Sequence, residues 1–309
     1  MSNGGDAMAR TLRYACFLVL RELNLNEDKL LGGTRFNKVM SLLQHELKGS
    51  DLDLKLPHCW YLYGDESVPQ ELPREVHFEH YECPERTFVR WIGPDRPSFN
   101  LPSPATKRIR ELAGEVVGRY PAMQGACEAT DDVYEYAPFP FQRDFRSFRE
   151  RFAFIERYTR LSSNPQRNIF LTTFETAVRD FPGEEFPRLR HHASRFEVLT
   201  RLLLEDDRDR LPEAQELASE FWRLFCKHLR IHPKGHENVS EGRLRWWTKD
   251  ADSHTRIYAE WFSEVAARHL EDERLSSALD PLDRLMLVPP DWGEGSEGAS
   301  ADFDEVVTG

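Results

Sequence analysis

A thiol and three imidazoles stand close together in the sequence, at Cys226, His228, His232 and His236. Zinc accepts such sulfur and nitrogen donors, and histidines four apart share one face of an unbroken helix. Pro233 and Gly235, however, interrupt the set. A helix terminus with imidazoles near its free carbonyls explains the cluster better than a metal does. Cys226, His228 and His232 therefore stay only as a weaker metal-ligand alternative. His191 and His192 are adjacent, so on a helix they diverge by about 100° and cannot serve one ligand. His58-Cys59 and His77, His80 and Cys83 form a further set, but in a strand His80 opposes His77 and Cys83.

The chain carries no Walker loop, no HExxH and no GxSxG. Gly32-Gly33-Thr34 lacks the lysine that would clamp a phosphate and reads as a helix start. Acids are too abundant for any carboxylate pair to be informative; Glu205, Asp206, Asp207 and Asp209 read as a solvated turn. No catalytic residue and no cofactor is assigned.

Two other chemistries remain. Arginine and lysine can touch phosphates, through Arg35 and Lys38 or through Lys107, Arg108 and Arg110. In RLRWW, Arg243 and Arg245 interleave with Trp246 and Trp247, a combination able to stack on bases. The plainer alternative is a loop whose tryptophans cap a helical core. Exposed aromatics also anchor protein interfaces, and Trp60, Tyr61, Tyr63, Trp246 and Trp247 are the candidates.

The elements that must position these residues are mainly helical. Leu12, Cys16, Val19 and Leu23 repeat at helical spacing from about residue 9 to 23. The preceding MSNGGDA reads as a flexible lead. Thr34 reads as the cap of a second helix with Phe36, Val39, Met40, Leu43 and Leu47 on one side, and Arg35, Lys38 and Gln44 away from it. Two strands, 77–83 and 87–92, read as a hairpin. Ser103-Pro104 signals another helix, with Ile109, Leu112, Val116 and Tyr120 on its apolar face.

Helices and a hairpin over residues 9–120 predict a winged-helix-like α+β module. Residues 121–142, with APFPF, read as a junction. Residues 143–290 read as a helical bundle. Its stripes are Phe145, Phe148, Phe152 and Ile155; then Phe170, Phe174 and Val178; then Leu189, Ala193, Phe196, Leu199 and Leu203; then Leu217, Phe221, Leu224 and Phe225. Residues 233–252 read as a loop before a last helix carrying Ile257, Trp261, Val265 and Leu270. Residues 291–309 hold six acids and no base, and read as a disordered acidic tail. The expected fold class is thus mainly α, a winged module followed by a bundle.

The segment FNKVMSLLQHELK, followed by LPHCWYLYG, resembles the opening of the SocA/YwgA-like, or Panacea, antitoxin and regulator domains. Phe36-Asn37-Lys38-Val39 with Leu42-Leu43 match that family's helix, and Trp60, Tyr61, Tyr63 and Gly64 match its aromatic segment. The resemblance spans roughly residues 9–120. It implies interaction or regulation in a defence or toxin–antitoxin setting.

Only eight of the 41 basic residues are lysine, against 53 acids and a net charge of −12. That bias resembles the composition of salt-adapted archaeal proteins, whose dense carboxylates keep a surface hydrated. It argues against a nonspecific DNA binder, since salt weakens simple phosphate attraction steeply. Five scattered cysteines argue against a disulfide framework and for a reducing cytoplasm. No apolar run reaches membrane-spanning length, so no membrane partner is expected. The reading favours a non-enzymatic regulatory or interaction protein with a protein partner or a second copy of itself. A sequence-specific DNA-binding regulator is the alternative, and a metal-dependent enzyme the third.

Overall fold

The computed structural model describes residues 3–24, 30–82, 85–120, 125–158, 164–205 and 210–269. The proposed tail at 291–309, Cys83, Asp206 to Asp209 and Leu270 lie outside the described residues, as does the side chain of Ile155. Among the described residues the chain is mostly helical, with two small antiparallel sheets. Among the described residues no helix is long and apolar enough to cross a membrane.

Helix α1 (Asn3–Phe17) continues as a π-helical turn over Leu18–Glu22, closed by Leu23 N donating to Leu18 O at 2.8 Å. The first residues are therefore helical from Asn3, not a flexible lead. Strand β1 (Leu31–Gly32) leads into α2 (Gly33–Leu47). The helix starts one residue before Thr34, and Gly32 occupies the cap without a side-chain bond. The expected stripe of Phe36, Val39, Met40, Leu43 and Leu47 is buried. So are Lys38, Ser41 and Gln44, because a second layer covers the other side of the helix.

That layer is the hairpin of β2 (His58–Tyr61) and β3 (Gly64–Ser67), with α4 (Gly125–Tyr134) beside it. The hairpin closes through Leu62-Tyr63, and Gly64 takes φ 96°. A Cβ on Gly64 would stand 2.8 Å from the Tyr134 ring and 3.0 Å from Lys38 Nζ, so only glycine suits both the turn and the approach. Strands β4 (Val76–Glu82) and β5 (Glu85–Trp91) pair from Val76↔Trp91 to Glu82↔Glu85, and β1 adds to β5. Helix α3 (Ser103–Arg119) buries Ile109, Leu112 and Val116. Pro102 holds its cap position, and Ser103 is its first helical residue.

The stretch 121–142 is not wholly irregular. It contains α4, with Ala129, Val133 and Tyr134 buried, and the start of α5 (Pro140–Tyr158). Helices α6 (Asn164–Arg179), α7 (Arg190–Glu205) and α8 (Leu211–Leu229) then pack their phenylalanines together. Phe145 touches Phe148, Phe196, Phe221 and Trp222, the last stacked at 5.5 Å and 11°. Such ring pairs add about 0.5–1.5 kcal/mol each beyond area burial.

A two-residue strand, β6 (His236–Glu237), follows α8, and α9 (Glu241–His269) begins much earlier than the expected loop allows. Arg243 N donates to Ser240 Oγ at 3.3 Å, so Ser240 caps α9 and its first turn absorbs Gly242. RLRWW is helical. Strand β6 pairs with β2, Cys59↔His236 and His58↔Glu237, which joins distant parts of the chain in one sheet. Trp222 Nε1 donates to Leu62 O at 3.0 Å across the same seam. One continuous cluster of buried side chains runs from Leu12 to Ala266.

Gly235 holds this seam. Its carbonyl accepts from Trp60 N at 2.8 Å, and an added Cβ would lie 1.8 Å from Leu229 O. Gly235→Ala should therefore push β6 from β2 and destabilise the protein by about 1–3 kcal/mol. Urea unfolding checks this; an unchanged midpoint would show that the turn relaxes freely.

Candidate functional site

The β2–β3 hairpin is held from beneath by a buried polar network. Asp65 is 1% exposed, and its Oδ2 accepts from Ser41 Oγ at 2.5 Å. Its Oδ1 lies 2.6 Å from His58 Nδ1, and its carbonyl accepts from Lys38 Nζ at 2.9 Å. On the far side His58 Nε2 is 3.8 Å from Glu237 Oε2, an ion-pair distance, and Lys48 pairs with the same carboxylate.

Burial works against each of these charges, and the neighbours decide the outcome. Burial alone would lower the His58 pKa, but Asp65 and Glu237 push it up to about 10. Burial would raise Asp65, but His58, Ser41 and Lys38 hold it below the usual carboxylate range. The neighbouring His58 and Lys48 cations draw Glu237 down to about 2. Lys38 lies below its ordinary value, chiefly through burial.

Serine, histidine and aspartate together invite a nucleophile reading, but the geometry refuses it. Ser41 donates to Asp65 and not to the imidazole. A histidine protonated between two carboxylates has no free nitrogen with which to take a proton. The network is a clamp that ties α2, both hairpin strands and β6.

Above the clamp sits a cation–aromatic stack. The Arg230 guanidinium is 8% exposed and lies 4.8 Å from the Tyr61 ring, 5.2 Å from Trp247 and 5.9 Å from Trp246. Asp250 pairs with Arg230 and accepts from Lys227 Nζ at 2.6 Å. Trp247 packs with Cys59 and Val68 in a small apolar cluster of its own. Two aromatics on these elements are left in solvent. Tyr63, at the hairpin tip, is 66% exposed, and Trp246 is 56% exposed.

The five aromatic candidates therefore separate. Trp60 is buried edge-on against Tyr134, and Trp247 is buried in the small cluster, so neither is a surface anchor. Tyr61 is half-buried against Arg230. The clamp and the hydrogen-bonded hairpin turned Trp60 inward; sequence alone shows only an aromatic run.

The basic candidates scatter as well. Lys38 is fully buried and offers no phosphate contact, while half-buried Arg35 donates through Nη2 to Tyr120 O at 2.7 Å. On α3, Lys107 is 3.8 Å from Glu111 and Arg110 pairs with Glu22, while Arg108 is exposed. Arg243 lies over Trp246 at 5.8 Å, and exposed Arg245 is 3.7 Å from Glu241.

Cys226, His228 and His232 do not converge on one point. Cys226 is wholly buried, His228 Nε2 lies 2.8 Å from Thr255 Oγ1, and His232 Nε2 lies 3.2 Å from Glu185 Oε2. The turn after Leu229 sends the last of them to a different neighbour. Among the described residues no group of three His, Cys, Asp or Glu side chains is arranged to hold a metal ion.

Asp65, Glu237, Arg230 and Asp250 carry no signal in the sequence reading, and His58 enters it only as a metal donor. Most of their partners come from other segments, Ser41 and Lys38 from α2 and Glu237 from β6, while His58 and Asp65 meet across one hairpin. Compared with known proteins, the chain matches no family model, no curated protein and no solved structure.

Proposed function

We propose that the protein is a non-enzymatic interaction or regulatory component whose partner docks on Tyr63 and Trp246. The observation that carries this reading is their exposure, 66% and 56%, Tyr63 on a hairpin fixed by the buried clamp and Trp246 on a helix tied to Arg230. Large aromatics that lose little freedom on binding are efficient anchors. The buried clamp fixes the hairpin and contributes no reacting group. A front module of winged-helix type, a rear helical bundle and a setting like that of the SocA/YwgA-like regulators belong to the same proposal. A protein partner fits better than DNA. Lys38, one of the two residues expected to reach phosphates from α2, is buried with its ammonium on Asp65 O.

Tagged full-length protein, purified from its native cells, tests this against a Tyr63→Ala/Trp246→Ala double variant. A stoichiometric partner should accompany the native protein and drop at least tenfold with the variant. Stability should change by less than about 0.5 kcal/mol per site, because both rings are exposed. Equal recovery of the same partner with both proteins, or tight binding of a defined duplex in a gel shift with no protein partner, would refute the surface.

A further inference from the structure

Arginines recur at every third residue along α5, at Arg143, Arg146 and Arg149. The first two have carboxylates. Arg143 is 3.7 Å from Glu135. Arg146 reaches Asp131 at 2.5 Å and Glu150 at 2.7 Å, and lies 4.6 Å from the Tyr134 ring. Arg149 differs. Among the described residues its guanidinium meets no carboxylate at ion-pair distance, and adjacent Glu150 is held by Arg146. Instead it is half-buried, 5.7 Å over the Trp222 ring. Burial holds it below its ordinary value. A cation drawn partly out of water without a counter-ion costs free energy that an incoming anion would recover.

This charge stands beside the hairpin tip. Trp222 Nε1 donates to Leu62 O at 3.0 Å, so the indole under Arg149 is joined to the turn that carries Tyr63. Tyr63 is among the groups that act on the Arg149 charge. A partner that covers Tyr63 therefore brings its own surface to an uncompensated guanidinium. The two oxygens of a carboxylate match that fork. A phosphate dianion suits a cluster of free arginines, whereas Arg146 and Arg230 already hold carboxylates. With a net charge of −12 the chain gives an acidic partner no long-range attraction, so recognition is by contact at this one place.

We infer that the partner presents an aspartate or glutamate side chain to Arg149 as it docks on Tyr63. The inference rests on the docking surface proposed above and adds the chemistry of what that surface receives, an acidic protein segment.

Selection of a phage-displayed random dodecapeptide library on the full-length protein tests this. Peptides that bind the native protein and not Tyr63→Ala should share an acidic position. In a synthetic copy of one, replacing that acid by its amide should weaken binding about tenfold to the native protein and less than twofold to Arg149→Met. Phosphoserine at the same position should bind no tighter than the acid. Arg149→Met should itself unfold at an equal or higher urea concentration, because it removes an uncompensated charge and keeps an apolar stem on Trp222. A lowered midpoint would make the arginine a structural element and overturn the inference. So would Tyr63-dependent peptides with no acid, an equal loss from the amide on both proteins, or a tenfold gain from phosphoserine; these leave the docking surface standing. Peptides indifferent to Tyr63→Ala, or no enrichment at all, would remove the docking surface and the inference with it.

Discussion

Asp65→Ala is expected to cost the fold about 3–5 kcal/mol in denaturant unfolding, the largest effect of any single polar change considered. The carboxylate is buried and faces His58 at 2.6 Å and Ser41 at 2.5 Å, while Lys38 bonds at 2.9 Å to the main-chain carbonyl of the same residue, a contact alanine keeps. Removing it leaves a buried imidazolium with much of its compensation gone, and desolvation then acts on it with little opposition. Asp65→Asn should cost less, since it keeps the shape and some hydrogen bonding.

The same clamp makes a pH signature. His58 moves from an ordinary value of 6.5 to about 10 on folding. Its stabilising contribution is complete below pH 6.5 and is lost as pH rises through about 10. Asp65 is shifted the other way, so its contribution is present above the ordinary aspartate range and is lost as pH falls below it. Native stability should therefore decline between pH 7 and 10 more steeply than that of Asp65→Ala, in which His58 has lost its main partner. Parallel curves for the two proteins would show that His58 is not charged in the fold.

Phe145→Ala should destabilise by about 3–5 kcal/mol, the range for deleting a wholly buried aromatic. Phe145 is 0% exposed and touches rings on α5, α7 and α8, so the hole cannot close without moving several helices. The response also reports how the protein unfolds. The buried cluster runs without a break from Leu12 to Ala266, and β6 is hydrogen-bonded to β2. The loss should lower the midpoint for probes at both ends of the chain together, for instance Trp222 in α8 and Trp91 in β5, as one cooperative transition. A variant in which Trp222 reports early unfolding while Trp91 does not would divide the chain into independent units.

Helix periodicity was legible because it is local. The stripes of α2, α3, α5 and α8 place Phe36, Ile109, Phe145 and Phe221 inward as their spacing requires, and the β4–β5 hairpin lies within a residue or so of expectation. Boundaries were read less well. Proline and glycine suggested loops at 121–142 and 233–252, yet α4 occupies part of the first and Ser240 caps α9 within the second. A single capping bond and later packing outweigh a glycine's cost of about 1 kcal/mol.

The surface was hardest to read. Lys38 lies off the apolar stripe of its helix, so sequence places it in solvent; the hairpin and α4 cover that side, and Asp65 receives its ammonium. Trp60 and Tyr63 differ little as letters, yet one is buried at 4% exposure and the other stands free at 66%. Strand alternation and the hairpin turn decide between them.

By its own pattern of apolar spacing, the sequence determined that the chain is mainly helical, that it carries a strand hairpin near the front, and that phenylalanine fills the rear core. Only the tertiary structure decided which charges are buried and which aromatics face water. Helical spacing is a property of neighbours a few residues apart, whereas burial and pairing depend on segments such as β2 and β6 that meet only once the chain has folded.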